Sequence, residues 1–257
     1  MEIIRVNNYE EMSEKGAELL VREVRNHPEI VLGLATGGTP EGTYKIFIEK
    51  AKAASLDLSH ITTFNLDEYE GLTPEHPNSY HAYMKEHLFS PLQLKEAQIH
   101  LPKGNAADLE AEAERYEQLI QEHGSIDLQL LGIGENGHIG FNEPGTPLDS
   151  RTHIVELKES TRKANARYFE RKSHVPKRGV TMGIASIMDS LRIVLLASGE
   201  RKKQAMKTLL EGKISETFPA SILKRHPYVT IIADEKALSD VSENELKKYD
   251  DPTRYVP

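Results

Sequence analysis

A doubly wound α/β fold, with a mainly parallel sheet and helices on both faces, is what this 257-residue sequence predicts. Three observations carry the prediction. Short apolar runs alternate with helix-length stretches along the chain, as βαβ units require. Polar or glycine-rich segments follow the apolar runs, where such folds place their ligand sites. The length, with 38% hydrophobic and 28% charged residues, suits one large domain, and no repeat or low-complexity linker divides it. The expectation is a single Rossmann-like domain over 1–257, with a polar, solvated tail from about residue 234.

The elements follow in order. Met12, Ala17, Leu19, Leu20 and Val24 give residues 9–25 an amphipathic helical pattern. Residues 31–35 read as a strand, 36–40 as a glycine-rich turn, and Pro40 fits the first turn of a helix to about residue 53. A strand follows at 61–66, then a helix from Asn78 or Ser79 to about residue 88, and a charged helix at 106–122. Strands are expected at 128–133, 154–157, 191–197 and 228–233, with helices at 161–170 and 200–210.

Composition removes several functions. A formal net charge of −8 argues against broad binding to nucleic acid or anionic membrane, which needs a basic face. The absence of cysteine excludes disulfides, thiolate nucleophiles and cysteine-ligated metals. The first residues lack the apolar core of a secretory signal, and no apolar run approaches a membrane span. A cytoplasmic protein is expected.

Residues 132–137, GIGENG, match the dinucleotide fingerprint G-x-G-x-x-G, with Glu156 at the place expected of a ribose-binding acid. That reading needs a helix directly after the glycines. The following HIGFNEPGTPLDSRT holds two prolines and two glycines, which oppose one. The alternative is that the glycines present Asn136, His138, Asn142 and Glu143, because a histidine beside a carboxylate is a natural proton carrier. Metal binding has less support: there is no H-E-x-x-H, and His138 and Glu143 do not stack on one helix face.

Thr36, Gly37, Gly38 and Thr39 form a loop that either cradles phosphate with backbone N–H groups or is a plain strand–helix turn. In SGERKK, Ser198 or Gly199 caps a helix whose first residues include Arg201, Lys202 and Lys203. Cations there oppose the helix dipole, so they imply either a nearby anion or a solvated run. Asp67 and Glu68 end a strand as caps, ion-pair partners or a general base, and spacing alone does not choose.

Together, LGLATGGTPEGTY, TFNLDEY, HPNSYHAYM, GIGENGHIGFNEPG, SRTHIV, TRKANARYF and LLASGERKKQA, in this order over about residues 31–210, resemble the glucosamine-6-phosphate deaminase (isomerase) family. The alternative is a 6-phosphogluconolactonase-like sugar-phosphate hydrolase on the same fold, which shares the TGGTP loop but lacks the FNLDEY and GFNEP pair. The resemblance implies that glucosamine 6-phosphate and water become fructose 6-phosphate and ammonia, with no metal or organic cofactor. By resemblance His138 opens the sugar ring, Glu143 orients it, and Asp67 moves the C2 proton. Asn136 stands where some members carry the Asp of a relay, which puts that relay in doubt here. The phosphate pocket would be Thr36, Gly37, Gly38, Thr39, Arg167 and Lys202. Members regulated by N-acetylglucosamine 6-phosphate hold a second phosphate between subunits, with basic side chains just after S-R-T. His153 and Val155 occupy those positions here, so no such activation and no hexamer of that type is expected.

Overall fold

The computed structural model describes residues 1–169 and 171–249. Its ten strands are β1 (Glu2–Val6), β2 (Val31–Leu34), β3 (Thr62–Asn65), β4 (Asp67–Tyr69), β5 (Ile99–His100), β6 (Leu128–Gly132), β7 (His153–Glu156), β8 (Arg178–Thr181), β9 (Arg192–Ala197) and β10 (Val229–Asp234). Seven form one sheet in the order β1-β10-β9-β6-β2-β3-β5, with every neighbouring pair parallel. The other three form a small antiparallel sheet, β4-β8-β7.

Helices cover both faces of the large sheet. On one side Met12, Leu20, Tyr44 and Phe47, from helices Tyr9–Asn26 and Glu41–Ala53, pack with Leu32 and Leu130 of the strands. On the other, Tyr116 of Leu109–Glu122 and Leu209 of Lys203–Glu211 pack with Leu131 and Leu195. The expected doubly wound α/β architecture is therefore present. Caps set several helix starts: Asn8, Ser79, Asp108 and Asp234 each accept a backbone N–H three residues on. No helix among the described residues is long and apolar enough to cross a membrane.

From β2 the chain builds outward to β3 and β5; from β6 it builds the other way to β9 and β10, and β1, the first strand in sequence, lies beyond β10. The direction reverses between β2 and β6, and loops leaving those carboxyl ends diverge to leave a crevice. The short sheet closes one side of this crevice. Beneath it Tyr69, Phe141, Val155, Leu157, Phe169 and Val175 form their own apolar cluster.

Several expectations shift. Pro40 is the N-cap of its helix rather than inside the first turn. The 78–88 helix is Tyr80–Met84 continued by a π-helical segment, Lys85–Phe89. The 200–210 helix starts as a 3₁₀ turn, Glu200–Lys202, before Lys203–Glu211. The polar tail needs the largest correction. Asp234 belongs to β10, and Ala237, Leu238, Val241 and Leu246 are buried in the core. Their spacing gives an apolar face to a segment whose charged residues point outward. Residue 170 of the expected 161–170 helix and tail residues 250–257 lie outside the described residues.

Candidate active site

A cavity of about 1200 Å³ opens at the reversal point, lined by residues following β2, β3, β6 and β9 and by the 160–167 segment. Asp67, Asn136 and His138 line it, as do Thr36, Gly37, Gly38, Thr39, Arg167 and Lys202. Of the residues that the glycine loop was expected to present, Glu143 and Asn142 lie behind the wall, where they are buried.

Asp67 and Glu68 are adjacent on β4, so their side chains leave opposite faces of the strand. Glu68 is buried and accepts from the N–H groups of Tyr69 (2.9 Å), Tyr80 (2.9 Å) and His81 (3.0 Å), holding the start of the Tyr80–Met84 helix. Burial pushes its carboxyl up to about 7 against the pull of those three N–H groups. Asp67 faces the cavity, and no hydrogen bond reaches its carboxylate among the described residues. Burial, and then the Glu68 charge, hold its carboxyl well above the ordinary range. An under-hydrogen-bonded carboxylate with a raised pKa is suited to take a proton near neutral pH. The pair thus divides the two roles that spacing left open: Glu68 caps, and Asp67 is available for chemistry.

The glycine fingerprint builds a turn, and no helix follows it before residue 159. A Cβ at Gly134 would sit 2.3 Å from the His138 ring, so glycine there lets the imidazole fold back over its own loop. Gly137 (φ +85°) and Gly140 (φ +55°) occupy the left-handed region and reverse the chain twice. Asn142 fixes the far end by donating from Nδ2 to the Ile139 and Met182 carbonyls, 2.9 Å each.

The contacts around Asn136 settle the His138 tautomer. The backbone N–H of His138 can only donate, and at 3.2 Å it meets Asn136 Oδ1. Asn136 Nδ2 in turn donates to Glu143 Oε2 at 2.9 Å. The ring atom facing Oδ1 at 2.7 Å is Nδ1, which must therefore carry the hydrogen. Nε2 is left as the lone-pair nitrogen. Glu143 lies 3.8 Å from Nδ1, so it orients the ring through Asn136 more than by direct contact. Its other oxygen accepts from the Lys158 N–H at 3.1 Å. Burial lowers the His138 pKa against the pull of Glu143, favouring the neutral ring.

The cavity wall also carries cations. Lys202 Nζ donates to the Ile133 carbonyl at 2.7 Å. Burial lowers its pKa, as do the Arg201 and Arg167 charges, against the pull of Glu135. Arg201 pairs with Glu135 at 2.5 Å, and Lys203 with Asp240 at 3.6 Å. The basic run is thus shared among separate partners. Asp234 holds the turn before it, accepting from Ser198 Oγ and from the Gly199 N–H at 3.0 Å. Sequence reading missed Asp234, although it ends a strand at the same edge of the sheet as the other site loops. It also missed Tyr9 and Tyr80, which line the cavity. Among the described residues no group of three His, Cys, Asp or Glu is placed to hold a metal.

The model for glucosamine-6-phosphate isomerases/6-phosphogluconolactonase matches residues 7–231. A glucosamine-6-phosphate deaminase of Shouchella clausii (strain KSM-K16) is 56% identical over 93% of this chain and 97% of its own. Glucosamine-6-phosphate deaminase 1 of Bacillus subtilis (strain 168) is 52% identical over 93% of this chain and 99% of its own. The solved structure of a monomeric glucosamine-6-phosphate deaminase superposes with a TM-score of 0.92 at 52% identity, covering 93% of this chain and all of that one. A 6-phosphogluconolactonase from Trypanosoma cruzi shares the fold, with a TM-score of 0.76 at 18% identity, over 94% of this chain and 97% of its own.

Proposed function

This chain belongs to the glucosamine-6-phosphate isomerase/6-phosphogluconolactonase family, and from that premise we propose how its cavity works. The chain converts glucosamine 6-phosphate and water to fructose 6-phosphate and ammonia. The observation that carries the mechanism is one cavity lined by a buried, uncapped carboxylate, a tautomer-fixed histidine, a glycine-rich loop and cations.

Nε2 of His138 takes the proton of the C1 hydroxyl and returns one to the ring oxygen, which opens the ring to the aldehyde. The imidazolium that forms in passing is stabilised by the Asn136 and Glu143 chain. Asp67 then removes the C2 proton. The electron pair shifts into the C1–C2 bond, the C1 oxygen takes a proton from solvent, and the product is an enolamine. Asp67 returns its proton to C1, leaving a C2 iminium. Water adds at C2, ammonia departs and one proton returns to solvent, giving the ketone. The TGG loop, Arg167 and Lys202 hold the 6-phosphate, so binding energy remote from C1 and C2 positions the reacting carbons. A cytoplasmic, non-hexameric enzyme fits this reading. Val155 is buried in the small sheet's cluster, and His153 bonds the Arg151 carbonyl through Nδ1 at 2.7 Å, so neither position supplies a fixed cation for a second phosphate.

Incubation with glucosamine 6-phosphate should release ammonia and fructose 6-phosphate in equal amounts. Hydrolysis of 6-phosphogluconolactone without ammonia release from the amino sugar would place the chain in the other branch.

A further inference from the structure

The TGG loop carries no cationic side chain, so its hold on phosphate must come from its amides and its threonine hydroxyls. A loop amide faces an anion only if its peptide plane is turned the right way. In a trans peptide the C=O of one residue and the N–H of the next point to opposite sides of the plane. Fixing the carbonyl of residue i therefore aims the N–H of residue i+1.

Two carbonyls of this loop are fixed, each by a tyrosine hydroxyl from another part of the chain. Tyr83 donates to the Gly37 carbonyl at 2.8 Å. Tyr9 donates to the Gly38 carbonyl at 2.9 Å. The direction of the second bond is unambiguous. The Tyr9 oxygen also accepts the Gly42 N–H at 2.8 Å, so its own hydrogen is left for Gly38. Gly37 adopts φ +95°, the left-handed conformation that lets successive peptides turn this way. The amides following the two fixed carbonyls are those of Gly38 and Thr39. Both residues line the cavity, and among the described residues neither amide donates to a protein group.

We propose that Tyr9 and Tyr83 are positioning residues that aim the Gly38 and Thr39 amides at the substrate phosphate. The proposal rests on the assignment of this loop to the phosphate. Tyr83 does not line the cavity and acts from behind the loop. Its own position is set by Tyr80–Met84, the helix whose first amides Glu68 holds. One strand thus presents the base on one face and, through Glu68 and Tyr83, supports the phosphate loop on the other.

The test is Tyr83→Phe and Tyr9→Phe, which keep the ring and remove only the hydroxyl. Each is assayed for kcat and KM with glucosamine 6-phosphate and for competitive inhibition by inorganic phosphate. A lost neutral hydrogen bond predicts that KM and the phosphate inhibition constant rise together, about three- to tenfold. kcat should change less than about twofold, because uniform binding is what is lost. Unchanged KM and inhibition constants in both variants, or a fall in kcat alone, overturns the proposal. Tyr9→Phe also frees the Gly42 amide and should lower Tm; Tm is measured for both variants, and a rise in KM and in the phosphate inhibition constant without a matching fall in Tm is not a folding effect. If the parent releases no ammonia, the function assignment fails separately. Calorimetric titration of parent and Tyr83→Phe with inorganic phosphate then decides the tyrosine claim alone: weaker binding by the variant supports it, and equal binding overturns it.

Discussion

The loops leaving β2 and β6 start side by side at the reversal point of the sheet and are built in opposite ways. The first, residues 36–39, lines the cavity, and its Gly38 and Gly37 carbonyls accept from Tyr9, which also lines the cavity, and from Tyr83, which does not. The second, residues 133–143, turns side chains toward the cavity, and its backbone serves to stack Glu143, Asn136 and His138 in one chain of hydrogen bonds. Phosphate is a fixed dianion that needs only donors, and backbone N–H groups are donors that never titrate. Proton transfer needs groups that gain and lose protons, which only side chains supply. Substitution should therefore damage kcat near the second loop and KM near the first.

The largest effect tests the proton-transfer end. Asp67→Asn should lower kcat by about 10²- to 10⁴-fold with KM nearly kept, and should abolish exchange of the C2 proton with deuterated solvent. Surviving exchange would identify another base. The same variant should be more stable than the parent at neutral pH. The folded-state pKa of Asp67 is raised, so its contribution to stability is fully present below the ordinary carboxylate pKa and is lost as pH rises through the folded value. Asn never acquires the buried charge, so the gap in Tm should widen from acid to neutral pH. The acid limb of kcat/KM should lie above the ordinary carboxylate range for the same reason.

Next in size is His138→Gln, with an expected loss of about 10²-fold on the ring-closed sugar. A substrate analogue locked in the open form should recover most of it. Equal losses on both forms would remove His138 from ring opening. Arg167→Ala and Lys202→Ala follow, each raising KM about tenfold to a hundredfold through loss of a charge-assisted contact. Selectivity over unphosphorylated glucosamine should shrink in step, and unchanged selectivity would put the phosphate elsewhere.

A smaller contrast lies inside the glycine fingerprint. A Cβ at Gly132 meets nothing within 4 Å, whereas one at Gly134 meets the His138 ring at 2.3 Å. Gly134→Ala should therefore lower Tm, by about 1–3 kcal/mol of stability, as overpacking does, and Gly132→Ala should leave it unchanged. Similar Tm values for the two would show that the ring can move aside. The smallest expected effect is none: substrate curves should be hyperbolic and insensitive to added N-acetylglucosamine 6-phosphate. A sigmoidal curve made hyperbolic by that sugar would show that residues other than His153 and Val155 bind it.

The central strands were legible because burial on both faces leaves continuous apolar runs, such as the IVLLA of β9. The small sheet was legible only in β7, which lies close to the strand expected at 154–157, while DEY reads as the end of the strand before it. The RGVT of β8 and the DEY of β4 are short and polar, and only their pairing makes them strands. The tail misled for a different reason. Composition counts its charges, while Ala237, Leu238, Val241 and Leu246 reach the core at positions that composition ignores. At the site, the loops containing Asp67, His138, Gly37 and Lys202 stood out because each follows an apolar run. The choice between Asp67 and Glu68 needed the strand's alternation. Tyr9 and Tyr83 carried no local signal, since their partners lie 29 and 46 residues away.

The pairing of β1 with β10 has a consequence for how the molecule comes into being. The N-terminal strand occupies the edge of the sheet and has a single neighbour, in register from Glu2 opposite Thr230 to Val6 opposite Asp234. On the ribosome that neighbour is made 228 residues later. The first strand must wait, with its amides in water, until β10 has emerged, and so must the Ser198–Gly199 turn that Asp234 holds. Closing so long a loop is slow relative to forming the local helices. The stage of folding at which the sheet acquires this edge is then also the stage at which the enzyme acquires its anchored cationic turn, and a chain stalled short of β10 would be folded in part and empty of function.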